Sequence, residues 1–135
     1  GCANRQEIPK QYVPVLTPLA WEDARSYCRQ HHTDLAMIKD ESENTAVASL
    51  LWGHAVWIGL YRDPWRWSDG TNSSFTNWDA WQPSAGWETC GLENSAQKWH
   101  DANCAALLPF ICHKGKCDFH GGHEFSLSKQ CANVN

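Results

Sequence analysis

Thiol chemistry is the first chemistry the chain offers. It holds seven cysteines, at positions 2, 28, 90, 104, 112, 117 and 131. In a small acidic chain that number favours disulfides and an oxidising compartment. Zinc, the rival use of clustered cysteines, lacks the C-x-x-C pair that ribbons and fingers employ. The odd count leaves at least one thiol unpaired within the chain or bonded to another chain. Nucleophilic catalysis finds no footing. The seven histidines are dispersed, and no Cys–His or Ser–His–Asp arrangement has local support. Asn72-Ser73-Ser74 is an N-glycosylation acceptor in a polar, surface-type stretch. Between Tyr61 and Trp87 the chain also concentrates Trp65, Trp67, Phe75, Trp78, Trp81 and Trp87 among turn residues. A long polar loop carrying that many indoles must pack on itself, and long ordered loops are usually functional.

The elements that position these groups follow from periodicity and turn chemistry. Gln11 to Leu16 reads as a strand that Pro14 confines to an edge or bulge. Thr17-Pro18 supplies an N-cap and a first helical residue, and a helical pattern runs from Leu19 to about His31. Leu19 or Ala20, Ala24, Tyr27 and Cys28 share its apolar face. Leu35 to Ile38 forms a short apolar connector. Asp40 and Glu43 have capping-box spacing, opening a second helix from Glu41 to about Trp52 that Gly53 stops. Ala46 or Val47, Leu50 and Leu51 would face inward. Ala55 to Leu60 is a core strand in which Gly59 marks a bulge or a close backbone approach. Three short strands are expected near Glu88–Leu92, Gln97–Trp99 and Leu108–Cys112.

Two helices, a central strand, a long loop and three short cysteine-bearing strands make an α+β arrangement. At this point the chain resembles the C-type lectin-like domain family. The resemblance rests on ordered motifs: Trp21 to Cys28 (WEDARSYC), Leu35-Ala36, Trp57-Ile58-Gly59-Leu60 (the WIGL signature), Trp67-Ser68-Asp69-Gly70, Phe75, Asn77-Trp78, Cys90, Trp99-His100-Asp101, Cys104 and Phe110-Ile111-Cys112. It is similar in wording to secreted fish lectins and mannose-receptor-type modules. The implied fold is α+β, with two helices, small antiparallel sheets, a long ordered loop and disulfides. The implied organisation is an N-terminal extension (1–10), a lectin-like domain (11–113) and a cysteine-containing tail (114–135).

The resemblance implies that Cys28 pairs with Cys112 and Cys90 with Cys104. Cys117 and Cys131 are then left to close a compact tail hairpin, and Cys2 to remain free or bridge to a second chain. The tail's rival reading is zinc held by Cys117, His120, His123 and Cys131. Sugar-binding relatives hold calcium in the long loop through a Glu-Pro-Asn or Gln-Pro-Asp tripeptide whose proline is cis, a Glu before the third cysteine, and an Asn-Asp pair. Carried over, these are Gln82-Pro83-Ser84, Glu88 and His100-Asp101. Calcium takes six to eight hard oxygen ligands, some of them sugar hydroxyls in such sites. Gln82, Glu88 and Asp101 suit it. Ser84 offers only a hydroxyl in place of Asn or Asp, and the His100 imidazole prefers softer metals. The segment from Gln82 to Cys90 is also short for a sugar binder. A second calcium site would need acids after WIGL, where only Asp63 stands. Trp81 and Trp87 flank the tripeptide, where an indole can stack on a sugar, anchor a protein or pack the loop itself.

The expected function is therefore secreted carbohydrate recognition, leaning toward galactose-type sugars and weakly or not calcium-dependent. The alternative is a calcium-independent lectin-like module for a protein or other non-sugar ligand, and a third reading is an oligomerising or ice-binding relative. A net charge of −4 with scattered lysines and arginines makes no face for nucleic acid. No apolar run is long enough for membrane insertion. The chain opens on a polar stretch without a leader, as a mature form or excised domain would.

Overall fold

The computed structural model describes residues 10–114 except 63, 85 and 88. In chain order it contains β1 (Gln11–Leu19), α1 (Trp21–His31), β2 (Asp34–Leu35), α2 (Glu41–Ala48), β3 (Val56–Tyr61), β4 (Arg66–Trp67), β5 (Cys90–Glu93), β6 (Trp99–Ala102) and β7 (Leu108–Lys114). The strands form one sheet in the order β1-β7-β3-β5-β6, with β2 added to β7 and β4 to β3. All ladders are antiparallel except the single Trp57↔Phe110 pairing of β3 with β7.

β3 sits at the middle of this order because both of its faces are apolar, the pattern of a strand covered on both sides. Val56, Ile58 and Leu60 enter one core with Ile38, Val47, Leu51, Trp67, Trp99 and Ile111. Trp57 enters a second core with Trp21, Cys28, Leu35, Cys90, Phe110 and Cys112. The period-2 alternation of a strand thus joins the α2 half to the α1 half. Gly59 is needed for a close approach. Its N–H donates to Ala36 O at 2.8 Å, and a Cβ there would lie 3.1 Å from Leu35 O and 3.2 Å from Ala36 O.

The apolar connector of residues 35–38 is fully buried, and its backbone polar groups are satisfied from outside. Met37 N–H donates to His113 Nδ1 at 3.0 Å, and the Tyr12 hydroxyl donates to Met37 O at 3.0 Å. Asp40 caps α2 by accepting from Glu43 N–H at 2.8 Å. Glu43 Oε1 reaches back to Lys39 N–H at 3.0 Å.

Three boundaries differ from expectation, one of them the strand expected near Gln97–Trp99, which begins at Trp99 as β6 while Gln97 turns at φ 67°. Thr17-Pro18 does not open a helix: β1 continues through both residues to Leu19, which pairs with Leu108, and a register shift after Val15 accommodates the proline. The helix starts at Trp21, whose N–H donates to Cys104 O at 2.9 Å and whose indole N–H donates to Ile58 O at 2.8 Å. Trp21 joins Ala24 and Cys28 as the buried face, and Leu19 belongs to the strand. The second helix ends at Ala48, ahead of Gly53, and Asn44 and Val47 are its buried residues while Ala46 is exposed. The chain turns at Trp52 (φ 47°) and Gly53 (φ 82°).

Cys28 is bonded to Cys112, tying α1 to β7 across 84 residues of sequence. Cys90 is bonded to Cys104 across 14 residues, tying β5 to the chain after β6. By the chain-entropy model each closure stabilises by roughly 3 to 5 kcal/mol. Cys2, Cys117, His120, His123 and Cys131 lie outside the described residues, and so do the tail hairpin, tail zinc and interchain-bond expectations that rest on them.

Candidate functional site

The loop from Asn77 to Ser84 is built onto the edge of β6. Trp78 forms a bridge with Trp99, Trp99 N–H donates to Asn77 O at 2.9 Å, and Asp79 N–H donates to Trp99 O at 3.0 Å. The indoles of Trp78 and Trp99 meet edge to face with centroids 5.9 Å apart. A turn follows, closed by Gln82 N–H donating to Asp79 O at 3.0 Å. At its tip Trp81 adopts φ 66°, a left-handed conformation that costs a non-glycine residue about 1 to 2 kcal/mol. The Gln82–Pro83 peptide bond is cis. Trp81 is 94% exposed and Trp87 91% exposed, so both indoles stand in solvent on either side of Gln82-Pro83-Ser84. The Arg62 guanidinium donates to Gly86 O, and the Arg62 backbone N–H donates to Thr89 O at 2.8 Å.

The oxygens expected to face a cation bond to one another instead. Asp101 is buried on β6. Its Oδ1 accepts from Ser84 N–H at 2.9 Å and from the Ser84 hydroxyl at 3.0 Å. Gln82 Oε1 accepts from Asp101 N–H at 3.4 Å. His100 is engaged elsewhere: its Nε2 lies 2.9 Å from Asp79 Oδ2 and 3.0 Å from Asn94 Nδ2. Hydrogen bonding from His100, with a second bond from Ala80 N–H, holds the Asp79 carboxyl below the usual carboxylate range. Gln82, Ser84 and Asp101 are thus brought together, and His100 is diverted to Asp79. Glu88 lies outside the described residues, as does Asp63. Among the described residues, no three His, Cys, Asp or Glu side chains gather where a metal ion could be held. Position 84 brings a hydroxyl donor where a calcium site brings a ligand oxygen, and that donor is spent on Asp101. Among the described residues, Gln82, Ser84 and Asp101 thus spend their oxygens on one another, and Glu88, the remaining expected ligand, lies outside that set.

Several positioning residues had no signal in the sequence. Asp79 and Asn94 hold His100 from 21 and 6 residues away, and Arg62 holds the chain at Gly86 from 24 residues away. Beneath the site, the Trp99 indole N–H is shared between Glu93 Oε1 at 3.1 Å and Asn44 Oδ1 at 3.2 Å. Glu93 is fully buried. Burial pushes its carboxyl up to about 7, against the pull of the Trp99 bond.

Comparison with known proteins agrees with this architecture. The Lectin C-type domain family model matches residues 17–114. The secretory phospholipase A2 receptor of Oryctolagus cuniculus is 36% identical over 111 residues, which cover 74% of this chain and 8% of the receptor. The chain thus spans less than a tenth of that relative's length. C-type lectin 1 of Hydrophis hardwickii is 30% identical over 116 residues, covering 75% of this chain and 71% of that protein. Among solved structures, the carbohydrate-recognition domain of the human scavenger receptor C-type lectin superposes with a TM-score of 0.73 at 28% identity, covering 81% of this chain and 93% of that one. With the family model spanning most of its length and its motifs falling on the matching elements, this chain belongs to the C-type lectin domain family.

Proposed function

We propose that this domain is an extracellular recognition module that binds glycans through Trp81 and Trp87, without a dedicated calcium ion. The observation that carries this reading is the exposure of the two indoles, 94% and 91%, on either side of Gln82-Pro83-Ser84. An indole left in water is an apolar area waiting for a partner, and its flat face suits the C–H face of a pyranose. Galactose presents such a face over C3, C4 and C5, in keeping with the galactose-type preference that Gln82-Pro83 suggests. The interlocked Gln82, Ser84 and Asp101 give the loop a fixed shape, so that little ordering is left for the binding event. Two disulfides suit an oxidising extracellular setting. Among the described residues no helix is long and apolar enough to cross a membrane.

The test is a glycan array probed with the purified chain in chelator and again in calcium. Glycan signals that persist in chelator and fall in Trp81→Ala and Trp87→Ala support the reading. A blank array in both buffers refutes it. Tryptophan also dominates protein interfaces, so capture of a protein ligand that resists deglycosylation and chelator would establish the non-sugar alternative.

A further inference from the structure

Away from that loop, an open cavity of about 120 Å³ lies beneath residues 71–76. The half-buried rings of Trp65, Phe75 and Trp78 form its apolar wall, and Trp99 is at its base. Trp65 and Trp78 pack with centroids 4.9 Å apart, tilted by 59°. Arg66, Thr76 and Asn72 supply the polar rim. Asn72 is exposed and heads Asn72-Ser73-Ser74, the one N-x-Ser/Thr acceptor in the whole sequence. The segment carrying it is pinned on both sides. Thr71 N–H donates to Asp69 Oδ1 at 2.9 Å, and the Ser73 hydroxyl donates to Lys39 O at 3.1 Å.

We infer that Asn72 carries an N-linked glycan whose first N-acetylglucosamine seats on the Trp65–Trp78 wall of this cavity. The modification joins Asn72 Nδ2 to the anomeric carbon of a lipid-linked oligosaccharide diphosphate. The N–C bond forms, the C–O bond to the diphosphate breaks, and the lipid diphosphate leaves as Nδ2 loses one proton. The cavity is small beside ordinary ligand pockets of roughly 300 to 1,000 Å³, so it accommodates part of a single ring and not an oligosaccharide. A 2-acetamido sugar matches its chemistry: C–H groups and an acetyl methyl for the indoles, an amide and hydroxyls for the rim. Affinity for a free sugar would be negligible at such a shallow site. A sugar tethered to the rim meets it at an effective concentration in the millimolar range or above. The glycan then acts as an internal part of the domain, covering apolar surface that the chain leaves open. This proposal is independent of glycan recognition at Trp81 and Trp87.

The experiment expresses the full chain in a glycosylating secretory host. Intact-mass analysis reads occupancy of Asn72. Thermal melts then compare the native glycoform, the form trimmed by endoglycosidase H to one sugar, and Ser74→Ala, which removes the acceptor and keeps Asn72. The one-sugar form should melt with the native glycoform and about 3 °C above Ser74→Ala, and Trp65→Ala should abolish that gap. Should Trp65→Ala fail to fold, NMR contacts between the acetamido methyl and indole protons in the one-sugar wild type decide. An unoccupied Asn72, equal melting of the one-sugar and Ser74→Ala proteins, or absent indole contacts would overturn the proposal.

Discussion

Ser84 donates two hydrogen bonds to a single oxygen of Asp101, one from its backbone N–H at 2.9 Å and one from its hydroxyl at 3.0 Å. The pair joins the long loop to β6 at residues that the sequence comparison suggested as calcium ligands.

Ser84→Asp should convert this self-contained contact into a metal-dependent one. In chelator the variant sets two carboxylates against each other and should be less stable than wild type by about 1 to 3 kcal/mol. Added calcium should restore it, since calcium takes hard oxygen ligands and binding to the folded state alone stabilises that state. The wild type should melt at the same temperature, within about 1 °C, in calcium and in chelator. A wild-type melt several degrees higher in calcium would sink this account.

Trp81→Gly should separate stability from binding. Glycine relieves the left-handed backbone at φ 66°, a gain of about 1 kcal/mol, and little packing is lost because the indole is 94% exposed. Glycan binding should fall by about tenfold or more, the usual loss when an aromatic anchor is removed. Denaturant midpoints and array titrations read the two effects. Unchanged binding would exclude Trp81 from the recognition surface.

Glu93 gives the stability curve a characteristic slope. Its folded-state carboxyl titrates near 7, above the ordinary 4.5, because it is buried. A raised carboxyl favours the folded state while protonated. This contribution is therefore whole below about pH 4.5 and is lost as pH climbs through 7, by up to about 3 kcal/mol at 1.36 kcal/mol per unit. Glu93→Gln keeps an acceptor for the Trp99 indole and cannot ionise. Denaturant midpoints at pH 5 and pH 8 should show wild type losing stability relative to the variant at the higher pH. Parallel curves would contradict the assignment.

Asp79 should report on His100. Its carboxyl sits below the ordinary 3.8 because His100 bonds to it, so the ionised form is favoured in the folded state. That contribution is present above 3.8 and fades as pH falls through the lower, folded-state value. Carbon-13 NMR of the Asp79 carboxyl should show its midpoint moving up toward 3.8 in His100→Ala. A midpoint that does not move would place the cause elsewhere.

The sequence made the scaffold readable where one residue could serve only one purpose. Trp57 to Leu60 is apolar at every position because β3 is covered on both faces, and Gly59 meets two carbonyl oxygens where a Cβ would crowd them. Thr17-Pro18 misled because local capping chemistry yields to tertiary pairing: the Leu19↔Leu108 ladder holds those residues in a strand. The motif order singled out Gln82, Ser84 and Asp101, and the fold brings the three together. Their mutual bonding was not legible, since it depends on the fold bringing residues 17 and 19 apart in sequence into contact. The diversion of His100 to Asp79 was hidden for the same reason, and nothing in the sequence marks Glu93 as buried against Trp99.

The antiparallel pairing of Gln11 with Lys114 has a mechanical consequence. Both strands reach the same end of the sheet there, so tension applied through the flanking segments peels β1 from β7 one ladder bond at a time and never loads the whole ladder in shear. The peeling has a fixed limit. Val13 lies opposite Cys112, and Cys112 is covalently held to Cys28. Once β1 has lifted and the chain up to residue 28 has drawn taut, the sulfur bridge carries the load. Everything between Cys28 and Cys112, including β3 and the Trp81–Trp87 loop, is then shielded from the pull.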